Sequence, residues 1–202
     1  MRVIGGRHQR RTLCTPRGLR TRPILDRVKQ ALFDALGSRF GLPGALPPFH
    51  VLDLFCGGGT LGIEALSRGA ASCVFVESDR EALACLRRNL DATSLKDAST
   101  VVAGGAETAR LPPAKSGFSL IFLDAPFPMS EAFTPAGPIA RILDRLGRDI
   151  AIAPNAVCIW RHDERFHAPD RPAANWRLET RRVYGRSALS WLAYDPVESS
   201  QQ

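Results

Sequence analysis

Residues 51–66 read VLDLFCGGGTLGIEAL, an apolar strand that breaks into glycines and opens a helix. Gly57-x-Gly59-x-x-Gly62 is the spacing that lets a ligand approach backbone N–H groups at a helix start. The spacing alone fits many nucleotide ligands. Asp53, four residues before Gly57 and still on the strand, narrows it. A carboxylate there repels a pyrophosphate and attracts a cationic amine. S-adenosylmethionine carries an α-ammonium and a sulfonium and no phosphate, so Asp53 points to that cofactor and away from a nicotinamide dinucleotide. Phe55, Gly57 and Gly59 are assigned with Asp53 to the cofactor site.

Two further acids end apolar runs. Glu77 closes Cys-Val-Phe-Val-Glu, 20 residues after Gly57, where an acid can accept hydrogen bonds from both ribose hydroxyls. Leu-Ile-Phe-Leu-Asp124-Ala125-Pro126-Phe127 ends a later strand in an acid, a proline and an aromatic ring. Asp124 and the Ala125 carbonyl can accept hydrogen bonds from an exocyclic amine, and Phe127 can stack on the base that bears it. The local alternatives are a solvated strand-end acid and a core phenylalanine.

These residues need strands and helices in alternation to hold them. Continuous apolar runs predict strands at His50–Leu54, Cys73–Glu77, Val101–Ala103, Ser119–Asp124 and Ala156–Trp160. Helical spacing predicts helices at Asp26–Leu36, with Asp26 as cap, and at Thr60–Arg68, Asp79–Ala92 and Pro138–Gly147. The rhythm is that of an α/β protein with a doubly wound, Rossmann-like, mostly parallel sheet. Residues 182–194 are expected to form a terminal antiparallel hairpin, and Val3-Ile4 with Thr12-Leu13 a small N-terminal one. The expected organisation is a basic arm over 1–22, one domain over 23–196 and a frayed tail over 197–202. GLPGALPP at 41–48 is a breaker-rich loop.

With 202 residues and 45% hydrophobic content, the chain is long enough for one domain with an ordinary core. It has no 18-residue apolar run and no apolar leader near its start, so no membrane contact is expected. Five scattered cysteines, none in a CxxC pair, predict a reduced, cytoplasmic, metal-free protein. Charge is uneven. Residues 1–30 hold nine Arg/Lys and one acid, a net charge of +8, while the rest of the chain is −1. A basic arm on a near-neutral body predicts a polyanion contact, most simply nucleic acid, through Arg7, Arg10, Arg11, Arg20 and Arg22.

VLDLFCGGGTLGIEALSRGA, FVE and DAPF resemble motifs of class I S-adenosylmethionine-dependent methyltransferases. MRVIGGRHQRRTL followed by LRTRPILDRVKQALFDAL, with the late RRVYGRSALSWL, resembles the RsmD family of 16S ribosomal RNA guanine-N2 methyltransferases over residues 2–194. The resemblance implies methylation of one guanine in 16S rRNA, within a partly assembled small subunit, by a monomer that leaves S-adenosylhomocysteine as product. It places catalysis on Asp124, Ala125, Pro126 and Phe127. Two positions depart from the family pattern: Ala125 stands where a proline is usual, and Gly105 stands where an acid commonly binds the adenine amino group. That contact is reassigned to the backbone of Ala106, with Glu107 as substitute. The rival functions are methylation of another exocyclic amine (adenine N6 or protein glutamine) and a catalytically silent RNA-binding or ribosome-assembly module.

Overall fold

The computed structural model describes residues 1–16, 24–114 and 116–196. Arg20, Arg22 and the tail 197–202 lie outside the described residues, as do the expected boundaries at 22/23 and 196/197. The described chain divides into two compact units, Met1–Pro112 and Pro113–Gln202.

Unit 1 carries α1 (Asp26–Arg39), β1 (His50–Leu54), α2 (Thr60–Ser67), β2 (Ser72–Glu77), α3 (Arg80–Ala92) and β3 (Ser99–Ala103). β1 and β2 are parallel, with Asp53 opposite Phe75, and β2 and β3 are parallel, with Glu77 opposite Ala103. Both strand connections run through a helix, as parallel pairing requires. The apolar runs are strands because β1 and β2 are buried almost throughout. α3 starts where the sequence puts its cap: the Asp79 side chain accepts from the Ala82 N–H at 2.8 Å. α1 corrects the expected cap. Leu25 is its N-cap, and the Asp26 carboxylate is turned to Arg2 at 3.0 Å instead of to the helix amides.

The N-terminal arm is part of unit 1. Arg2 and Thr12 form an antiparallel bridge, and Val3 exchanges backbone bonds of 2.9 Å with Arg10 and Arg11. A short 3-10 turn, Gly6–His8, closes the loop. Three buried charges hold the arm down. The Glu64 carboxylate accepts the Ile4 and Gly5 N–H groups at 2.8 Å each and the Arg68 guanidinium at 2.9 Å. Lys29 Nζ lies 3.4 Å from Glu64 and donates to the Arg2 carbonyl at 2.7 Å and to Thr60 Oγ1 at 2.9 Å. Lys29 and Glu64 are fully buried. Burial lowers the Lys29 pKa while the Glu64 charge opposes the shift. Lys29 is therefore a neutralised core charge and no part of a positive surface.

Unit 2 carries β4 (Phe118–Leu123), α4 (Phe127–Glu131), α5 (Pro138–Arg148), β5 (Ile152–Asp163), β6 (Trp176–Tyr184) and β7 (Ser187–Tyr194). β4 and β5 are parallel; β5, β7 and β6 pair antiparallel in that order. The terminal hairpin is longer than expected, because β6 begins at Trp176, whose indole donates to the Leu143 and Leu146 carbonyls at 3.0 and 3.2 Å. Those are carbonyls at the broken end of α5, where Gly147 takes a φ of 105°. β5 also outruns its expected end at Trp160. Arg161, His162 and Asp163 continue the pairing with β7 and are all buried. The fold class is the expected one: α/β, with parallel βαβ units and an antiparallel terminal hairpin. Among the described residues no helix is long and apolar enough to cross a membrane.

His162 has a measurable consequence. Its Nδ1 lies 2.8 Å from the Asp163 carbonyl and its Nε2 2.8 Å from Ser190 Oγ. The pairing sets the neutral tautomer, with Nδ1–H donating to the carbonyl and Nε2 accepting the serine hydroxyl. Burial lowers its pKa from 6.5 to about 4. The unfolded chain therefore binds the proton more readily. Stability is intact above pH 6.5 and is lost as the pH falls from 6.5 toward about 4. Chemical denaturation at pH 7.5 and pH 5 should show about 2 kcal/mol more loss in the wild type than in His162→Gln. Equal losses in the two proteins would contradict a buried neutral imidazole.

Candidate functional site

The candidate site of unit 1 is built where β1 stops. Phe55 leaves the strand at φ 58°, a left-handed conformation that costs a non-glycine residue about 1–3 kcal/mol and gathers at functional turns. The chain is then held by Cys56 N–H to the Val76 carbonyl at 3.1 Å and by Gly59 N–H to the Cys56 carbonyl at 2.8 Å. Gly59 takes φ 80° as the N-cap of α2. A Cβ there would lie 2.4 Å from Leu86, and one at Gly62 would lie 2.4 Å from Phe75. The motif's spacing thus serves both the turn and the close packing of α2 on β2.

Asp53 is 1% exposed, and its Oδ2 accepts the Gly62 N–H at 2.9 Å. The carboxylate meets a first-turn amide of α2, so that amide is not offered to a phosphate. No Lys or Arg occurs in residues 51–66. Glu77, at the end of β2, accepts the Gly57 N–H on Oε2 at 2.8 Å. Its Oε1 accepts the Ser78 and Asp79 N–H groups at 2.8 and 2.9 Å. A carboxylate offers about four lone-pair sites, so Glu77 is locked in place with about one acceptor site left, on Oε2. It can take one ribose hydroxyl directly; taking both requires a backbone donor to yield. These residues fit a ligand with hydroxyls and a cationic amine, and they do not fit a pyrophosphate.

β3 ends beside the same acid: the Gly104 N–H donates to the Glu77 carbonyl at 2.9 Å. Ala106 is 8% exposed, in a turn closed by Thr108 and Ala109 N–H groups on the Gly105 carbonyl. A Cβ at Gly105 would meet nothing nearer than Thr108 Oγ1 at 3.9 Å, so crowding does not impose glycine there.

Sequence reasoning missed Asn89, a polar residue on the buried face of α3. Its amide donates to the Gly58 carbonyl at 2.8 Å and the Cys14 carbonyl at 3.0 Å, and its Oδ1 accepts the Cys14 N–H at 2.7 Å. One side chain thus ties the arm to the glycine turn. On the arm, Arg7, Arg10 and Arg11 are exposed, and burial together with the Arg7 and Arg11 charges lowers the His8 pKa.

The candidate site of unit 2 starts at the end of β4. Asp124 follows Leu123 with its side chain 18% exposed, Ala125 is 1% exposed, and Pro126 is the N-cap of α4, so Phe127 opens that helix. Ser130 on α4 accepts the Trp160 indole N–H at 2.9 Å, which pins the short helix to β5. Arg161, next to Trp160, donates from Nε to Asp124 Oδ1 at 2.6 Å. Its guanidinium also lies 5.1 Å above the Phe127 ring centroid. The sequence signal for Arg161 was a charge in an apolar run, which reads as a strand end but here is a buried charge with a partner.

The four buried cysteines offer no nucleophile. Burial raises the Cys56, Cys73 and Cys158 thiols, and Cys85 is pushed up to about 12. Among the described residues no group of three or more His, Cys, Asp or Glu side chains could hold a metal ion.

Residues 1–193 match the family model described as conserved hypothetical protein 95. The Escherichia coli K12 protein named ribosomal RNA small subunit methyltransferase D is 30% identical over 188 residues, 93% of this chain and 87% of that one. Bacillus subtilis YlbH is 42% identical over 130 residues, 63% of this chain and 67% of that protein. Among solved structures, Escherichia coli yhhF superposes with a TM-score of 0.76 at 30% identity, covering 96% of this chain and 98% of that one. A hypothetical protein of Thermus thermophilus gives 0.70 at 28% identity over 95% and 98%. The chain belongs to the conserved hypothetical protein 95 family, the RsmD family that the motifs of its arm, glycine turn and closing strands resemble.

Proposed function

We propose that the protein transfers a methyl group from S-adenosylmethionine to the exocyclic N2 of a guanine in 16S ribosomal RNA, leaving S-adenosylhomocysteine. The observation that carries this reading is the end of β4: an acid, Asp124, fixed by an arginine, beside the ring of Phe127. The name of the Escherichia coli relative, ribosomal RNA small subunit methyltransferase D, supports the substrate class. The partly assembled small subunit, a monomeric enzyme and a cytoplasmic location belong to the same proposal.

When bound, the cofactor supplies an electrophilic methyl group on a sulfonium. The chain supplies position and electrostatics. Asp53 places negative charge beside the glycine turn, where an α-ammonium is to be held. Glu77 offers its remaining acceptor site to a ribose hydroxyl. Asp124 and the Ala125 carbonyl accept hydrogen bonds from the guanine amino group. Those bonds favour the pyramidal nitrogen, whose lone pair is otherwise delocalised into the ring, and strengthen as it gains positive charge. Phe127 stacks on the base, and the exposed arm arginines hold RNA phosphates.

Glu77→Ala should weaken S-adenosylmethionine binding by one charge-assisted hydrogen bond, about 1.5–3 kcal/mol, and by the freed glycine turn besides. Unchanged affinity by calorimetry would remove Glu77 from the cofactor site. Asp124→Ala should slow single-turnover methylation of small-subunit rRNA by about 10²–10³ while leaving cofactor affinity as it was. A rate near that of the wild type would refute the assigned chemistry. Neutralising Arg7, Arg10 and Arg11 together should flatten the salt dependence of RNA affinity by up to about two units, since each single-strand phosphate contact contributes about 0.7. An identical slope would move the RNA contact to Arg177, Arg181, Arg182 and Arg186.

A further inference from the structure

Arg161 has a buried position and two partners that the proposed chemistry uses. Its side chain is 5% exposed, and it is carried by β5 directly after Trp160, the register partner of Leu123. That register sets it beside the residue that follows Leu123, which is Asp124. The Nε–H donates to Asp124 Oδ1 at 2.6 Å. The same guanidinium lies 5.1 Å from the Phe127 ring centroid, so it covers one face of the ring and leaves stacking to the other. Its neighbours are fixed in turn. Trp160 is tied to Ser130 of the helix that begins at Phe127, and Arg161 is paired with Leu189 of β7. β5 is thus the rigid rail on which both functional side chains of this unit are set.

We infer that Arg161 is the positioning residue of the methyl-acceptor site: it fixes the Asp124 carboxylate to face the incoming amine, and it assigns the other face of Phe127 to the target base. This rests on the reading that Asp124 and Phe127 engage the base. The planar, permanently charged guanidinium is needed for both tasks at once; a lysine ammonium supplies the charge without the plane.

The test is a cycle of single-turnover rates on small-subunit rRNA, with folding checked by melting temperature and cofactor affinity by calorimetry. Arg161→Met should lose about 10²-fold in rate, the scale expected when a reacting group is misplaced by about an ångström, with cofactor affinity unchanged. Arg161→Lys should recover part of the loss. Because Arg161 works in part through Asp124, adding Arg161→Met to Asp124→Ala should cost clearly less than Arg161→Met costs alone. A wild-type rate in Arg161→Met overturns the inference, and should that chain fail to fold, a wild-type rate in Arg161→Lys does so. Losses that multiply in the double variant also overturn it, because a merely structural arginine would act independently of Asp124. A wild-type rate in Asp124→Ala alone brings down the reading of the site, and this inference with it. A slow Asp124→Ala beside an unaffected Arg161→Met brings down the inference alone.

Discussion

A carboxylate at the end of a parallel strand must have its charge met when it leaves water, and the chain meets it differently in each case. Asp53 takes a first-turn amide of α2, Glu77 takes three backbone N–H groups, and Asp124 takes a guanidinium. The type of partner decides what each acid can still do. Backbone donors fix Asp53 and Glu77 relative to the glycine turn, so neither depends on a flexible side chain. A guanidinium instead gives Asp124 a partner that donates to Oδ1 and lies over the neighbouring ring.

The same constraint governs the arm. Its turn places backbone N–H groups where no strand can pair them, and buried donors are rarely left unpaired. Glu64 accepts two of them, which brings a carboxylate into the core, and Lys29 with Arg68 then balances it. Removing one member of such a cluster typically costs about 3–5 kcal/mol, because the remaining charge stays buried. Gly6 is part of the fit: a Cβ there would sit 1.9 Å from the Ser67 carbonyl oxygen. The arm is thus packed against the same helix that starts at the glycine turn, and Asn89 joins Cys14 to Gly58.

Most of the strand framework was legible in the sequence, because covered parallel strands leave continuous apolar runs with glycine or acid at their ends. β1 spans the expected residues, and Asp79 caps α3 as its position before an apolar stripe implies. The site's supporting residues were not legible, and the reason is common to them. Lys29, Glu64, Asn89 and Arg161 are polar side chains in elements whose pattern assigns such residues to solvent. Only tertiary placement shows that each has a buried partner. Lys29 counts toward the +8 charge of residues 1–30 yet lies in the core, outside the arginines assigned to RNA, and the expected β5 ended at Trp160, one residue before the buried Arg161. The short helix α4 was hidden by Pro126 and Pro128, which read as breakers although they flank its first residue.

The proposed function turns on which atom receives the methyl group. Incubating the protein with methyl-labelled S-adenosylmethionine and small-subunit rRNA, then identifying the modified nucleoside by mass spectrometry of the digested RNA, addresses it directly. The expected result is label in N2-methylguanosine at one position. Label in N6-methyladenosine or in protein, or no transfer to any substrate, would contradict it.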